Sequence, residues 1–136
     1  MINNILITGT VAFDDIETPF GRSGRVIGGA GTYIGLAASL LSKNLAIISV
    51  IGEDFPLNEI NFLKKRNINT EMIQIIKGGK TFYWKGKYHK NMVNRDTIST
   101  ELNVLENFKP ILKEEYKNSE IILLGNLHPS VQNQTI

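Results

Sequence analysis

The sequence contains no cysteine. Disulfide frameworks, cysteine-ligated zinc and thiolate catalysis are therefore excluded. Histidine is nearly as scarce, with only His89 and His128. Neither has further His or Cys around it to complete a zinc set, so no metal site is expected. No apolar run approaches the roughly 18 residues that span a bilayer, which excludes a membrane-crossing helix. The opening residues, MINNILITGT, lack a basic stretch followed by a long apolar one, so a secretory signal is not expected. There is no G-x-S-x-G elbow and no Walker-type GK[ST] loop. Excess charge is also small: 15 Lys and Arg against 13 Asp and Glu give a net +2. The densest basic cluster, Lys64 to Arg66, closes an expected helix and there complements the helix dipole. With no reading motif and no basic face, nucleic acid is not an expected partner.

What is present is the composition of a folded domain. The chain has 136 residues, 42% of them hydrophobic and 21% charged, which fits a packed core rather than disorder. Ile5 to Val11, Ala46 to Ile51, Met72 to Ile76 and Ile121 to Leu124 are short apolar runs of buried-strand type. Between them, Thr32 to Ser42 reads as a helix apolar nearly all round, hence buried on most sides. Leu57, Ile60 and Leu63, after Pro56, carry a second helix to Arg66. A short helix is expected to close at Glu114 to Asn118. Alternating buried strands and helices predict a parallel α/β sheet. Two stretches break that alternation. One is Asp14 to Ile27, and the other is Lys80 to Tyr88, which reads as an aromatic hairpin turning at Lys85-Gly86. Both look like a small sheet standing off the main one. Residues 91 to 109 carry no clear pattern.

Several constellations could carry chemistry. Asp14-Asp15 follows the first strand, where open α/β sheets bind ligands, and a carboxylate there can accept hydrogen bonds from two vicinal hydroxyls. Ile27 to Gly35 (IGGAGTYIG) sits at the mouth of a helix, where glycines admit close approach and free N–H groups favour oxygen ligands. Gly29, Gly31 and Gly35, with Glu53 and Asp54 about twenty residues on, also spell a loose dinucleotide fingerprint. A purely structural Gly-rich turn explains these glycines more readily than a dinucleotide site, because only Val26 and Ile27 lead into them and the last Gly is one place late. In the aromatic stretch, Phe82 and Trp84 share one strand face, with Thr81, Tyr83 and Lys85 on the other. Gly125-Asn126 ends the last strand, and Asn126 could bond a hydroxyl. Asn94, Arg95 and Asp96 are polar and unplaced.

In order and spacing, ILITGTVAFDDIETPFG, VIGGAGTYIGLAASLLS, IISVIGEDFP, KTFYWKGKYH followed by NRDT, and IILLGNLHP resemble the opening half of the ribokinase-like, or PfkB, carbohydrate kinases. The likeness runs from about Ile5 to Gln132. It implies an α/β fold: a three-layer sandwich with a parallel sheet, incomplete here, and a small β lid formed by about residues 14–27 and 80–96. It implies that residues 1–136 are the N-terminal portion of a kinase domain that moves the γ-phosphoryl group of ATP to a sugar or nucleoside hydroxyl.

Carried over position by position, the resemblance puts the sugar-binding carboxylate at Asp14 and backbone contacts at Gly28 and Gly29. Tyr33 stands where ribokinase-type members often have Asn, which argues against ribose itself. Asn126 is a further substrate contact, and Tyr83 and Trp84 belong to the lid. The family's G-A-G-D base, its ATP pocket and its magnesium-binding acidic region have no counterpart here, since Gly29-Ala30-Gly31 continues into Thr32. ATP and Mg2+ are thus implied for the whole protein without residues in this chain, and the chain alone is expected to be inactive. The likeness further implies a cytoplasmic protein and a homodimer contact through the lid. An unfinished sheet would leave an open edge and poor solubility. Two other readings stand beside this one: a dinucleotide-binding Rossmann-type module, and a non-catalytic sugar-binding or dimerisation module.

Overall fold

The computed structural model describes residues 4–136. In chain order the elements are β1 (Ile5–Thr8), β2 (Ala12–Thr18), β3 (Gly21–Gly28), α1 (Ala30–Ala38), β4 (Leu45–Gly52), α2 (Leu57–Lys65), β5 (Ile68–Asn69), β6 (Ile73–Ile76), β7 (Tyr83–Tyr88), β8 (Arg95–Glu101), β9 (Ile121–Leu124) and α3 (Pro129–Thr135). They form a five-stranded sheet and a four-stranded one.

The larger sheet is parallel throughout. β1 lies between β4 and β9, and β5 and β6 both pair with β4 on its far side. Period-two alternation sends successive side chains of β1 and β4 to opposite faces. Ile5, Ile7, Ile47 and Ile51 pack with Phe55, Ile60 and Leu63, under α1 and α2. Leu6, Ala46, Ile48 and Val50 pack on the opposite face against Met72 and Phe108, with Leu105, Leu127 and Val131 over them. Leu6 and Ile47 are wholly buried. Truncating either to Ala costs about 2–5 kcal/mol. Three layers result, as expected.

Glycines set how closely α1 lies on the sheet. A Cβ on Gly9 or Gly31 would run into the other's backbone, and one on Gly35 would meet Ile47. The N-terminus of the helix therefore meets the backbone just past β1 directly, and at Gly35 it rests on the Ile47 side chain of β4.

The smaller sheet runs β3-β2-β7-β8, with β2 and β7 parallel and the outer pairs antiparallel. It holds the two stretches expected to form the lid, about 14–27 and 80–96. The lid strands cover Ala12–Gly28 and Tyr83–Glu101. Lys80 to Tyr88 is not a hairpin in itself. Tyr83–Tyr88 is one strand, its turn lies at 89–94, and the patternless 91–109 stretch holds the return strand. Gly86 is mid-strand because the Trp84 ring lies over it and leaves no room for a Cβ.

Two other expectations fail. Helix α1 stops at Ala38, so Leu40 and Leu41 lie in the following turn and are 78% and 88% exposed. At Glu114–Tyr116 there is only a single 3-10 turn. Along β9, Ile121 and Leu123 face the first core cluster, while Ile122 and Leu124 are exposed. No helix among the described residues is long and apolar enough to cross a membrane.

Candidate functional site

The two sheets meet where β1 hands over to β2. A cleft of about 400 Å³ opens there, lined by Thr10, Asp14 and Ile16, by Gly29, Ala30 and Tyr33, by Phe82, Trp84, Tyr88 and Arg95 from the lid, and by Asn126. Strand alternation separates the adjacent acids of β2. Asp14 pairs in register with Trp84 on the cleft face, and Asp15 points the other way with Phe13.

The two acids differ in protonation as well as direction. Burial pushes the Asp14 carboxyl up, against a smaller downward pull from the Gly29 N–H. The bidentate Arg22 guanidinium, at 2.9 and 2.5 Å, holds Asp15 down at about 2, with the Tyr83 hydroxyl donating to it at 3.2 Å. Asp15 is thus a lid brace, and Asp14 is a half-buried carboxylate facing open space. The pH consequence of the brace is signed. A carboxyl depressed on folding from the usual value near ~3.9 stabilises fully above about pH 4. That contribution is lost as pH falls through about 2. Arg22→Met is expected to flatten the acid limb of thermal stability measured from pH 5 to 2. An unchanged limb would refute the brace.

The backbone under Asp14 is fixed by Thr10. Its Oγ1 accepts from the Ala30 N–H at 3.0 Å, and its carbonyl from the Gly31 and Thr32 N–H groups at 2.8 and 3.4 Å. Gly29 has φ +95°, and a Cβ there would strike the Thr10 carbonyl. A Cβ on Gly28 would land on the Asp14 carboxylate. Thr10 was not singled out by sequence reasoning. A threonine two residues past a strand carries no signal until the helix it caps is placed.

These contacts also dispose of the dinucleotide reading. The first N–H groups of α1 are already spent on Thr10 and cannot cradle a pyrophosphate. The strand entering the glycines is β3 of the lid, not a parallel strand of the main sheet. The Glu53 carboxylate accepts the Gly78 N–H at 3.0 Å.

The remaining sequence candidates are placed as follows. Tyr33 is 60% exposed at the cleft rim. Asn126 lines this cleft and a larger one of about 980 Å³ beside it, which also shares Thr10 and Phe82. Tyr83 and Trp84 part company. Trp84 lines the cleft, whereas Tyr83 faces Asp15, with Arg25 stacked on its ring at 5.2 Å. Of Asn94, Arg95 and Asp96, only Arg95 lines the cleft. Asp96 pairs with His89 at 2.8 Å, and Asn94 closes the lid turn by accepting the His89 N–H. His128 caps α3 by accepting the Ser130 N–H. Among the described residues no three His, Cys, Asp or Glu side chains converge.

No family model matches the chain. It is 25% identical over 130 residues to a cytidine kinase of Thermococcus kodakarensis, an alignment covering 95% of this chain and 45% of that protein. In structure it is similar to ribokinase from Cryptococcus neoformans solved with ADP, with TM-score 0.77, 15% identity, and coverage of 98% of this chain and 44% of that one. The nucleoside kinase of Methanocaldococcus jannaschii gives TM-score 0.70 at 18% identity, covering 98% and 48%. The nucleoside kinase of Burkholderia thailandensis, solved with inosine, gives 0.63 at 16%, covering 73% and 37%. The fold is therefore the ribokinase-like one. The chain spans less than half the length of each of these relatives.

Proposed function

We propose that this chain is the acceptor-binding portion of an ATP-dependent kinase that phosphorylates a sugar or nucleoside hydroxyl. The observation that carries the reading is Asp14: a half-buried carboxylate above Gly28, facing a cleft between the parallel sheet and the lid of a kinase fold. Such a group accepts hydrogen bonds from two neighbouring hydroxyls and fixes a sugar ring in one orientation. Phosphoryl transfer depends chiefly on positioning and charge stabilisation. Asp14 and the Gly28-Gly29 turn supply the first, and the lid strands keep water from the acceptor. Among the described residues Asp14 is the one acid lining this cleft, and Glu106 and Lys109 are the charged residues lining the larger one. A base, an anion hole and nucleotide contacts must come from outside these residues, and with them the Mg2+ that accompanies ATP. A cytoplasmic site of action fits a reaction drawing on ATP.

The chain is expected to bind ribose or cytidine without turnover. Asp14→Asn removes charge-assisted bonds worth about 1.5–3 kcal/mol each, and affinity is expected to fall about a hundredfold. Calorimetric titration reads the binding, and product formation from labelled ATP reads the turnover. Undiminished binding by Asp14→Asn, or phosphorylation by the purified chain above a vector control, would overturn the reading.

The lid also supports a homodimer. Phe20, Val26, Met92, Val93 and Ile98 are exposed apolar residues on it, and among the described residues no strand pairs with the outer edges of β3 and β8. Sedimentation is expected to show a concentration-dependent dimer that Val93→Glu dissociates. A monomer at every concentration would count against it.

A further inference from the structure

The reading of Asp14 as a sugar anchor leaves the lid side of the cleft unexplained. A sugar ring wants hydroxyl partners there, but the lid offers aromatic surface: Phe82, Trp84 and Tyr88, with Tyr33 opposite on α1. The Trp84 indole is held in place from two sides. Its Nε1–H donates to Thr97 Oγ1 at 3.3 Å, and its six-membered ring lies over the bare Cα of Gly86. Among the described residues Arg95 is the one cation lining the cleft, its guanidinium 6.0 Å from both the Trp84 and the Tyr88 ring centroids. Among the described residues no carboxylate forms an ion pair with it. A flat ring, held in advance and flanked by a guanidinium with no carboxylate partner among the described residues, suits a nucleobase better than a polyol.

We infer that the acceptor is a nucleoside, its base stacked on Trp84 and Tyr88 and held at its edge by Arg95. The inference rests on the preceding assignment of Asp14 to the sugar. Stacking on an aromatic ring strengthens binding by roughly ten- to a hundredfold, and does so for any base. Arg95 adds selection. A guanidinium fork matches two adjacent acceptors, which cytosine offers at O2 and N3 and a 6-oxopurine at O6 and N7. Uracil and adenine alternate donors with acceptors along their edges and offer no such pair. The cleft, at about 400 Å³, lies in the range of ordinary small-molecule sites.

Trp84 is the only tryptophan in the sequence, so its emission reports on the platform alone. Cytidine, inosine, uridine, adenosine and ribose are titrated into the chain by fluorescence, and into Arg95→Met, Trp84→Leu and Asp14→Asn by calorimetry. Cytidine and inosine are expected to quench Trp84 saturably and to bind about tenfold or more tighter than ribose. Uridine and adenosine fall between. Arg95→Met is expected to lower cytidine affinity about tenfold and leave ribose unchanged. Ribose binding within about threefold of every nucleoside would overturn the inference. So would unchanged cytidine affinity in both Arg95→Met and Trp84→Leu. If Asp14→Asn still weakens ribose in those cases, the sugar assignment survives without the base. A folded chain that binds none of the five ligands overturns both.

Discussion

Gly28→Ala is expected to weaken ribose and cytidine binding about a hundredfold while shifting the melting temperature by only a few degrees. The new methyl group would occupy the space of the Asp14 carboxylate, the mobile end of a side chain that can swing away. Little folding energy is lost when it does. Burial already disfavours the Asp14 charge, as its raised pKa shows, so removing the carboxylate from the cleft relieves a native-state cost. The linkage has a sign. A carboxyl raised on folding makes the native state less stable as pH climbs from its unfolded pKa through its folded one. Asp14→Asn is therefore expected to melt no lower than the parent at pH 7 while losing the ligand. Gly29→Ala provides the contrast. There φ is +95° and the obstacle is the Thr10 carbonyl, a backbone atom that also holds α1. Strain of roughly 1–3 kcal/mol joins the steric clash, so this variant is expected to lose stability and binding together. Equal destabilisation by Gly28→Ala and Gly29→Ala, with ribose affinity intact in the first, would remove Asp14 from the site.

The parallel sheet was legible because its strands are nearly pure apolar β-branched runs, and burial on both faces demands that composition. The aromatic stretch was half legible. Alternation placed Phe82 and Trp84 together, but Gly86 reads as a turn in one dimension. Only the Trp84 ring above it explains a glycine within a strand. β8 was not legible at all: RDTISTE is largely exposed and becomes a strand by pairing with β7. Arg95 could not be assigned for the same reason. Its place beside Trp84 and Tyr88 comes from the register of that hairpin, which begins at Tyr88↔Arg95. The strand β3 was not legible as a separate strand, because Gly21, Arg22 and Ser23 carry no apolar pattern. What fixes it is long-range: Arg22 on Asp15, and Ser23 Oγ accepting the Ile16 N–H. Asp14 and Gly28-Gly29 were legible as candidates through motif likeness. Their facing one another follows from the Ala12↔Gly28 and Asp14↔Val26 pairing.

Thr81→Val is expected to lower stability by about 1–3 kcal/mol and to loosen the lid more than the sheet beneath it. Thr81 is 1% exposed and joins the two sheets at the root of β7. Its Oγ1 accepts the Gly52 N–H at 2.9 Å and donates to Asp54 Oδ1 at 2.7 Å, and its own N–H donates to the same carboxylate oxygen at 2.8 Å. Its carbonyl accepts from Asn103 Nδ2 at 3.0 Å, past the end of β8. Valine keeps the shape and deletes both hydroxyl bonds, leaving the buried Gly52 N–H unpaired at the end of β4. A loss near ~2 kcal/mol lowers the melting temperature by roughly 5–10 °C. Phe82, Trp84, Tyr88 and Arg95 all follow Thr81 in the chain, so a freer root lowers the fraction of molecules with the cleft assembled. Apparent affinity for cytidine falls by that fraction. Hydrogen exchange separates this from general weakening. Amides of β7 and β8 are expected to exchange faster in Thr81→Val by a larger factor than those of β1 and β4. A uniform rise across both sheets, with cytidine affinity unchanged, would show that Thr81 stabilises the fold without governing the lid.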